Sequence, residues 1–468
     1  MEWTKERIHE VVLKQRQLFK SGVTLDVKFR IQQLKKLKQA LINYQEELEM
    51  ALNRDLGRVS AEAYFCDIGD VIMEINECIH GVRKWSRPEV HSSGLLCFPS
   101  SKTKVFKMPY GVSLIISPFN FPILLSIGVL AASIAGGNTA MIKASSKSKY
   151  CTRLLQKIIA ETFDESYCTV IDGGHDVADL LLEGKFDKIF YTGSPKIGKH
   201  VMEYASKNLT PVALELGGEN GNWCIVRKDA DIKDAARKIA FFKTLNAGQI
   251  CININQVAVA KEVINEFLEE MKKAFSSQIG ENAIYNVEYP KLISSKAVEY
   301  CENIFNRYKS RIVYGGNIDK NTLKVEPTII YPVNTDEDIV NEELFAPILP
   351  VVTFEDNKID ELLSLIEDRE HGLALYLFTK DMKWAKKTMS TSQFGGGCIN
   401  EVCIHLMVKG VPFGGVGHSG MGCYHGEWGF KEFTHPSTVL IGKRHFNLSM
   451  REHPYSKKKE SFLKKILK

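Results

Sequence analysis

Apolar residues recur at three- and four-residue steps early in the chain: Phe29, Ile31, Leu34, Leu37, Leu41, Tyr44, Leu48 and Leu52. That spacing puts them on one helical face, so the chain is expected to open on packed helix. A second helical stretch is expected over residues 61–85. Residues 87–107 are rich in Ser, Pro and Lys, with alternation near 104–107, and read as a loop and an extended arm. From Pro109 the rhythm changes. Val112–Ile116, 140–142, Cys168–Ile171 and 188–191 read as strands, with helices in the gaps. This alternation predicts a parallel α/β sheet of Rossmann type. A second such rhythm follows Glu215, with strands near 223–226, 256–260, 349–354 and 373–378, and a domain boundary is expected near 210–214. Residues 112–137 are almost wholly apolar, but Pro118, Asn120 and Pro122 interrupt them and Gly136-Gly137 ends them. A buried strand, a turn and a buried helix fit better than a membrane span.

Composition changes little in this picture. The chain has 468 residues, 44% hydrophobic and 25% charged, enough for a large core and roughly three domains. Its 11 cysteines are irregularly spaced, with no Cys-x-x-Cys pair, so neither a disulfide framework nor a zinc site is expected. No N-terminal signal pattern is seen, and the expectation is a reduced, cytoplasmic protein. The net charge of +5 is uneven: from Lys443 onward there are nine Lys/Arg against two Asp/Glu, +7, which leaves −2 for the other 442 residues. No nucleic-acid surface is therefore expected.

The candidate chemistry starts at Asn246-Ala247-Gly248-Gln249-Ile250-Cys251. Most free cysteines are small core hydrophobes. Cys251 differs in following a glycine and a polar residue in a short turn. Glu215-Leu216-Gly217-Gly218 places a carboxylate in a glycine turn of its own. A thiolate nucleophile and a carboxylate base are equipment for making and hydrolysing a thioester. Ser117-Pro118-Phe119-Asn120-Phe121-Pro122 is a stiffened loop whose Asn120 amide is a donor, although a lone turn Asn more often caps backbone. A Gly415-x-Gly417-x-x-Gly420 pattern imitates a dinucleotide fingerprint, but it does not open a strand–helix unit. Tyr191-Thr192-Gly193-Ser194-Pro195-Lys196-Ile197-Gly198 does, so its N–H groups are the better phosphate candidates.

These motifs together resemble the aldehyde dehydrogenase superfamily over about residues 29–438, and most closely its class 3 group of fatty- and aromatic-aldehyde enzymes. The resemblance is carried by Phe29-Arg30-Ile31-Gln32-Gln33-Leu34, Leu209-Thr210-Pro211-Val212, Leu214-Glu215-Leu216-Gly217-Gly218 and Pro412-Phe413-Gly414-Gly415-Val416-Gly417. Ser419-Gly420-Met421-Gly422 and Tyr424-His425-Gly426 extend the last run. The resemblance implies an α/β fold with a Rossmann-type cofactor domain (1–83 and 109–212), an α/β catalytic domain (213–398) and a small β bridging and oligomerisation arm (84–108 and 399–450), followed by a basic amphipathic tail (451–468). It implies NAD(P)-dependent oxidation of an aldehyde to the acid, with Cys251 as nucleophile, Glu215 activating the hydrolytic water and Asn120 stabilising the oxyanion together with the Cys251 N–H. Lys143, Ser146, Gly193, Ser194, Gly198, Glu343 and Phe345 match cofactor-binding positions. Phe65, Phe121, Phe241 and Ile250 match the aldehyde tunnel, for a medium- or long-chain aliphatic or an aromatic substrate. A homodimer is implied, and no metal.

The chain departs from the family pattern in places. Ser146 stands where many members have a Glu that repels a 2′-phosphate, and Lys147 and Lys149 follow, so NADP is expected to be accepted alongside NAD or preferred to it. Glu219 replaces a common lysine, Phe119 a common Trp and Ala346 a common Gly. The tail is too short to span a bilayer; it reads as a solvated segment or as a helix lying weakly on an anionic membrane surface. An acyl-coenzyme A-forming reductase and a family member that has lost turnover are the alternatives, both disfavoured by the retention of Glu215 with Cys251, Asn120, Lys143 and Glu343.

Overall fold

The computed structural model describes residues 3–94, 97, 100, 102–218, 220–444 and 448–467. Glu219 lies outside the described residues.

Two large sheets carry the fold. The first has six strands in the order Gly420–Met421, Val212–Leu216, Lys188–Gly193, Val112–Ile116, Thr139–Lys143 and Cys168–Ile171, all parallel except the short first one. Val112–Ile116 is flanked by Thr139–Lys143 on one side and Lys188–Gly193 on the other, so chain order reverses there. A reversal of this kind opens a crevice at the carboxyl ends of the strands. Val112, Leu114 and Ile115 are fully buried; each such side chain contributes about 1.5–3 kcal/mol of apolar burial. The apolar run continues as Leu124–Gly128 and the helix Val129–Gly136, buried throughout. Among the described residues no helix is long and apolar enough to cross a membrane.

The second sheet has seven strands: Ile312–Tyr314, Thr328–Ile330, Ile348–Phe354, Ile254–Ala260, Asn222–Val226, Ala374–Phe378 and Gly396–Ile399. All but the first are parallel. A third, antiparallel sheet joins Glu89–Ser92, Lys102–Pro109 and Thr434–Ile441.

The sheets refine the expected boundaries. Val212–Leu216 pairs with Lys188–Gly193, so the first sheet runs on to Leu216, past the boundary expected near 210–214. Of residues 399–450, only Thr434–Ile441 pairs in the three-stranded sheet, whereas Gly420–Met421 edges the first sheet. The stretch 27–56 is two helices, Val27–Asn43 and Gln45–Leu56, broken at Tyr44. A helix over Lys5–Lys20, unmarked by the periodicity, precedes them. Residues 457–466 form a helix with no buried residue.

Candidate active site

The nucleophile turn is shaped by its backbone. Helix Ile232–Thr244, capped at Asp231, ends where Asn246 (φ 50°) and Ala247 (φ 49°) enter the left-handed region, and Gly248 (φ 76°) follows. Left-handed conformations cost non-glycine residues free energy, and Asn tolerates them best. A Cβ on Gly248 would stand 2.5 Å from the Ala346 backbone, so glycine is required there. The Asn246 amide donates to the Gln249 carbonyl at 2.9 Å and to the Asn120 carbonyl at 3.1 Å. Cys251 emerges half-buried just before strand Ile254–Ala260.

Asn120 is 2% exposed, and its Nδ2 donates to the Gln249 carbonyl at 3.1 Å. That bond uses one of its two amide hydrogens and holds the side chain over the nucleophile turn, leaving the second hydrogen for an oxyanion. Glu215 sits in strand Val212–Leu216 between Thr192 and Gly420. It is buried, and neither carboxyl oxygen has a hydrogen-bond partner among the described residues. Burial, then the Glu432 carboxylate, push its pKa well above the ordinary range. Burial, then Glu343 and Glu215, push the Cys251 thiol up to about 12. Both shifts disfavour the charged forms, the thiolate and the carboxylate.

Cys251 and Glu215 line one cavity. Its walls are mostly apolar and include Phe121, Leu124, Phe242, Ile250, Phe413 and Tyr424. Of the four expected tunnel residues, Phe65, Phe121 and Ile250 line it. Phe241 does not: it lines a neighbouring surface cleft with Ala61 and Gln278, and Phe242 takes its place in the cavity. The two are adjacent on one helix, and a one-residue step turns the side chain by about 100°. Asp70 stands in the wall, its carboxyl pushed up to about 6, first by burial and then by Glu74, against the pull of His425.

The crevice beside this cavity suits a dinucleotide. Lys143 ends strand Thr139–Lys143, and its buried ammonium donates to the Ala144 carbonyl at 2.9 Å. Two further N–H donors remain for ribose hydroxyls. Gly193 ends the strand on the other flank, and Ser194 is the N-cap of helix Pro195–Asn208 with no side-chain cap bond, so the first-turn N–H groups face outward for phosphate. A Cβ on Gly198 would meet Leu216 at 2.9 Å; glycine lets this helix lie close on the sheet. Ser146 is exposed beside the exposed Lys147 and Lys149. The loop carrying Glu343 and Phe345 is held by Asn255, which accepts from the Leu344 N–H at 2.8 Å and donates to the Glu342 carbonyl at 2.9 Å. The Glu343 carboxyl packs against Gly217 so closely that a Cβ there would stand 2.0 Å from it, and burial pushes its pKa up to about 8. Phe345 meets Phe119 edge-on at 5.9 Å between centroids. The Gly415-x-Gly417-x-x-Gly420 pattern is a short turn leading to an edge strand, away from any strand–helix crossover.

The structure thus gathers Asn120, Glu215, Cys251 and Glu343 about one point, with Lys143, Gly193, Ser194 and Gly198 along the crevice. Sequence reasoning passed over Arg58, Asp67 and Asp70. Arg58 lies in the link between two helices and Asp67 and Asp70 on a helical stretch, and nothing in the sequence sets them apart from the other charged residues nearby.

Comparison with known proteins agrees with this geometry. Residues 1–439 match the aldehyde dehydrogenase family. The chain is 36% identical over 450 residues to 4,4'-diaponeurosporen-aldehyde dehydrogenase of Staphylococcus aureus (strain NCTC 8325 / PS 47), covering 96% of this chain and 97% of that one. It is 35% identical over 443 residues to an aldehyde dehydrogenase of Canis lupus familiaris described as dimeric and NADP-preferring, covering 93% and 94%. The substrate-bound structure of Staphylococcus aureus AldH superposes with a TM-score of 0.95 over the full length of both chains, at 35% identity. The chain therefore belongs to the aldehyde dehydrogenase family, among class 3 relatives, and is an aldehyde-oxidising, NAD(P)-dependent oxidoreductase.

Proposed function

We propose that this enzyme oxidises an apolar aldehyde, medium- or long-chain aliphatic or aromatic, irreversibly to its carboxylic acid. The observation that carries this reading is that Cys251 and the unpartnered Glu215 carboxyl both line one mostly apolar cavity. The Cys251 thiol loses its proton to solvent, its sulfur adds to the aldehyde carbon, and the resulting oxyanion lies against the free Asn120 amide hydrogen and the Cys251 N–H. NAD(P), when bound, supplies the hydride acceptor that converts the thiohemiacetal to a thioester. Glu343 and Phe345 border the place where this happens, and Lys143 and the N-terminus of helix Pro195–Asn208 hold the remainder of the dinucleotide. Glu215, as its carboxylate, then takes a proton from water as the water oxygen attacks the thioester carbonyl; the C–S bond breaks, the acid and the Cys251 thiolate are released, and Glu215 returns its proton to solvent. NADP is accepted because the exposed Ser146 carries no charge to repel a 2′-phosphate and Lys147 and Lys149 stand beside it. The enzyme acts as a homodimer, in the cytoplasm. Val90, Met108, Val439 and Ile441 lie on one face of the three-stranded sheet and are exposed, a surface that a second copy would cover.

The test is a Glu215→Gln variant. It should form about one equivalent of reduced nicotinamide per site and then slow ~100-fold or more, while mass spectrometry finds an acyl group on Cys251. The wild-type product should be the free acid without added coenzyme A. A requirement for coenzyme A, or steady wild-type turnover in Glu215→Gln, would contradict the reading.

A further inference from the structure

Beneath the active site lies a buried arginine. Arg58 has no exposed surface. It follows helix Gln45–Leu56 and precedes the turn at Ser60–Ala63. Its guanidinium spends its donors on three separate segments. Nε donates to Asn246 Oδ1 at 3.0 Å. One terminal nitrogen donates to Asp67 Oδ2 at 2.9 Å. The other donates to the backbone carbonyl of Asn120. The Phe121 ring lies against the cation at 4.6 Å, and Glu62 stands 3.8 Å from Nε.

Each partner leads to the reacting groups. Asp67 accepts from the Ile123 and Leu124 N–H groups at 3.1 and 2.5 Å, which fixes the end of the Asn120 loop. Glu62 accepts from the Asn246 N–H at 2.8 Å. Asn246, in its left-handed conformation, ties the Asn120 carbonyl to the Gln249 carbonyl, the same oxygen that receives the Asn120 side chain. The planar fork of Arg58 is thus the shared anchor of the oxyanion loop and the nucleophile turn. A lysine ammonium has the charge but not the fork. The chemistry needs the Asn120 donor and the Cys251 N–H to converge on one oxygen, and these groups come from elements 129 residues apart in sequence at their nearest hydrogen bond.

We infer that Arg58 is a positioning residue for the oxyanion site, acting on the reaction through Asn120 and Asn246 without touching substrate. The inference rests on the proposed thiohemiacetal chemistry, and wild-type turnover with an inactive Cys251→Ala variant establishes that chemistry separately. Misplacing a donor by an ångström costs on the order of 100-fold, so Arg58→Met should lower kcat about 10- to 100-fold. Because the coenzyme site is built from other elements, KM for NAD and NADP should stay within about twofold. Arg58→Lys should recover part of kcat. The loss should add only in part to that of Asn120→Ala: the double variant should be faster than the product of the two single losses predicts, since the share of the Arg58 effect that runs through the Asn120 donor is already gone. A general folding defect would instead multiply the two losses and weaken coenzyme binding. Multiplied losses, a kcat per titrated Cys251 that is unchanged in Arg58→Met, or equal coenzyme and kcat defects would overturn the inference. If Arg58→Met fails to fold, the same cycle run with Arg58→Lys decides it, with a smaller expected loss.

Discussion

The reacting groups are held back by burial. Burial, and after it the Glu343 carboxyl, push the Cys251 thiol up to about 12. Glu343 itself titrates at about 8, so it carries its charge through the alkaline range in which the thiol ionises. Removing that charge removes a repulsion against the thiolate. Glu343→Gln should therefore move the midpoint of Cys251 alkylation to lower pH in the coenzyme-free enzyme, read by iodoacetamide labelling and peptide mass. An unchanged or higher midpoint would show that the two groups do not interact. The coenzyme choice is also a residue-scale matter. Ser146→Glu should lower kcat/KM for NADP by about tenfold or more, equivalent to ~1.4 kcal/mol of added repulsion, with a smaller change for NAD. Parallel losses for both coenzymes would place Ser146 outside the 2′-phosphate contact.

At the scale of elements, the site is a set of strained turns fixed by a rigid frame. Three successive left-handed residues end helix Ile232–Thr244 and aim Cys251 into the cavity. Gly248→Ala adds a Cβ against the Ala346 backbone at 2.5 Å and should cost about 1–3 kcal/mol of stability and on the order of 100-fold in kcat. Calorimetry and steady-state kinetics read the two effects, and a variant of wild-type melting temperature and rate would contradict this geometry. The buried parallel strands were legible in the sequence because each is a short apolar run between turn signals; Cys168–Ile171 and Val112–Ile116 match to the residue. Helix Lys5–Lys20 was not, because it buries only Ile8, Val11, Val12 and Gln15 amid charged residues. Strand Val212–Leu216 fell across the expected boundary because a strand carries no mark of which sheet it will join. The proposed reacting residues Cys251, Glu215 and Asn120 were legible through their motifs, and Cys251 and Glu215 line one cavity. Arg58 was not, since its role is set by partners 62 and 188 residues away.

Across the whole molecule, two sheets meet so that the carboxyl ends of the first present a dinucleotide crevice and the turn before Ile254–Ala260 delivers a thiol beside it. The third sheet does neither. It leaves Val439 and Ile441 about half exposed, on a strand at the sheet edge. Replacing both with Asp should convert a dimer to monomers in analytical ultracentrifugation, because desolvating two charges in an apolar contact costs more than the contact returns. A wild-type monomer would contradict the proposed dimer, and a dimer that survives the change would move the interface elsewhere. The choice between Phe241 and Phe242 belongs to this scale too: which face of a helix meets the cavity is decided by the packing of the two sheets and not by the helix's own pattern.

The most direct measurement is the formation of reduced nicotinamide by the purified enzyme with a medium-chain or aromatic aldehyde, NAD and NADP in parallel, and Cys251→Ala beside the wild type. Turnover by the wild type that vanishes in Cys251→Ala is the expected result. Equal turnover by the variant, or none by the wild type with either coenzyme across a series of apolar aldehydes, would contradict a Cys251-centred oxidation of such substrates.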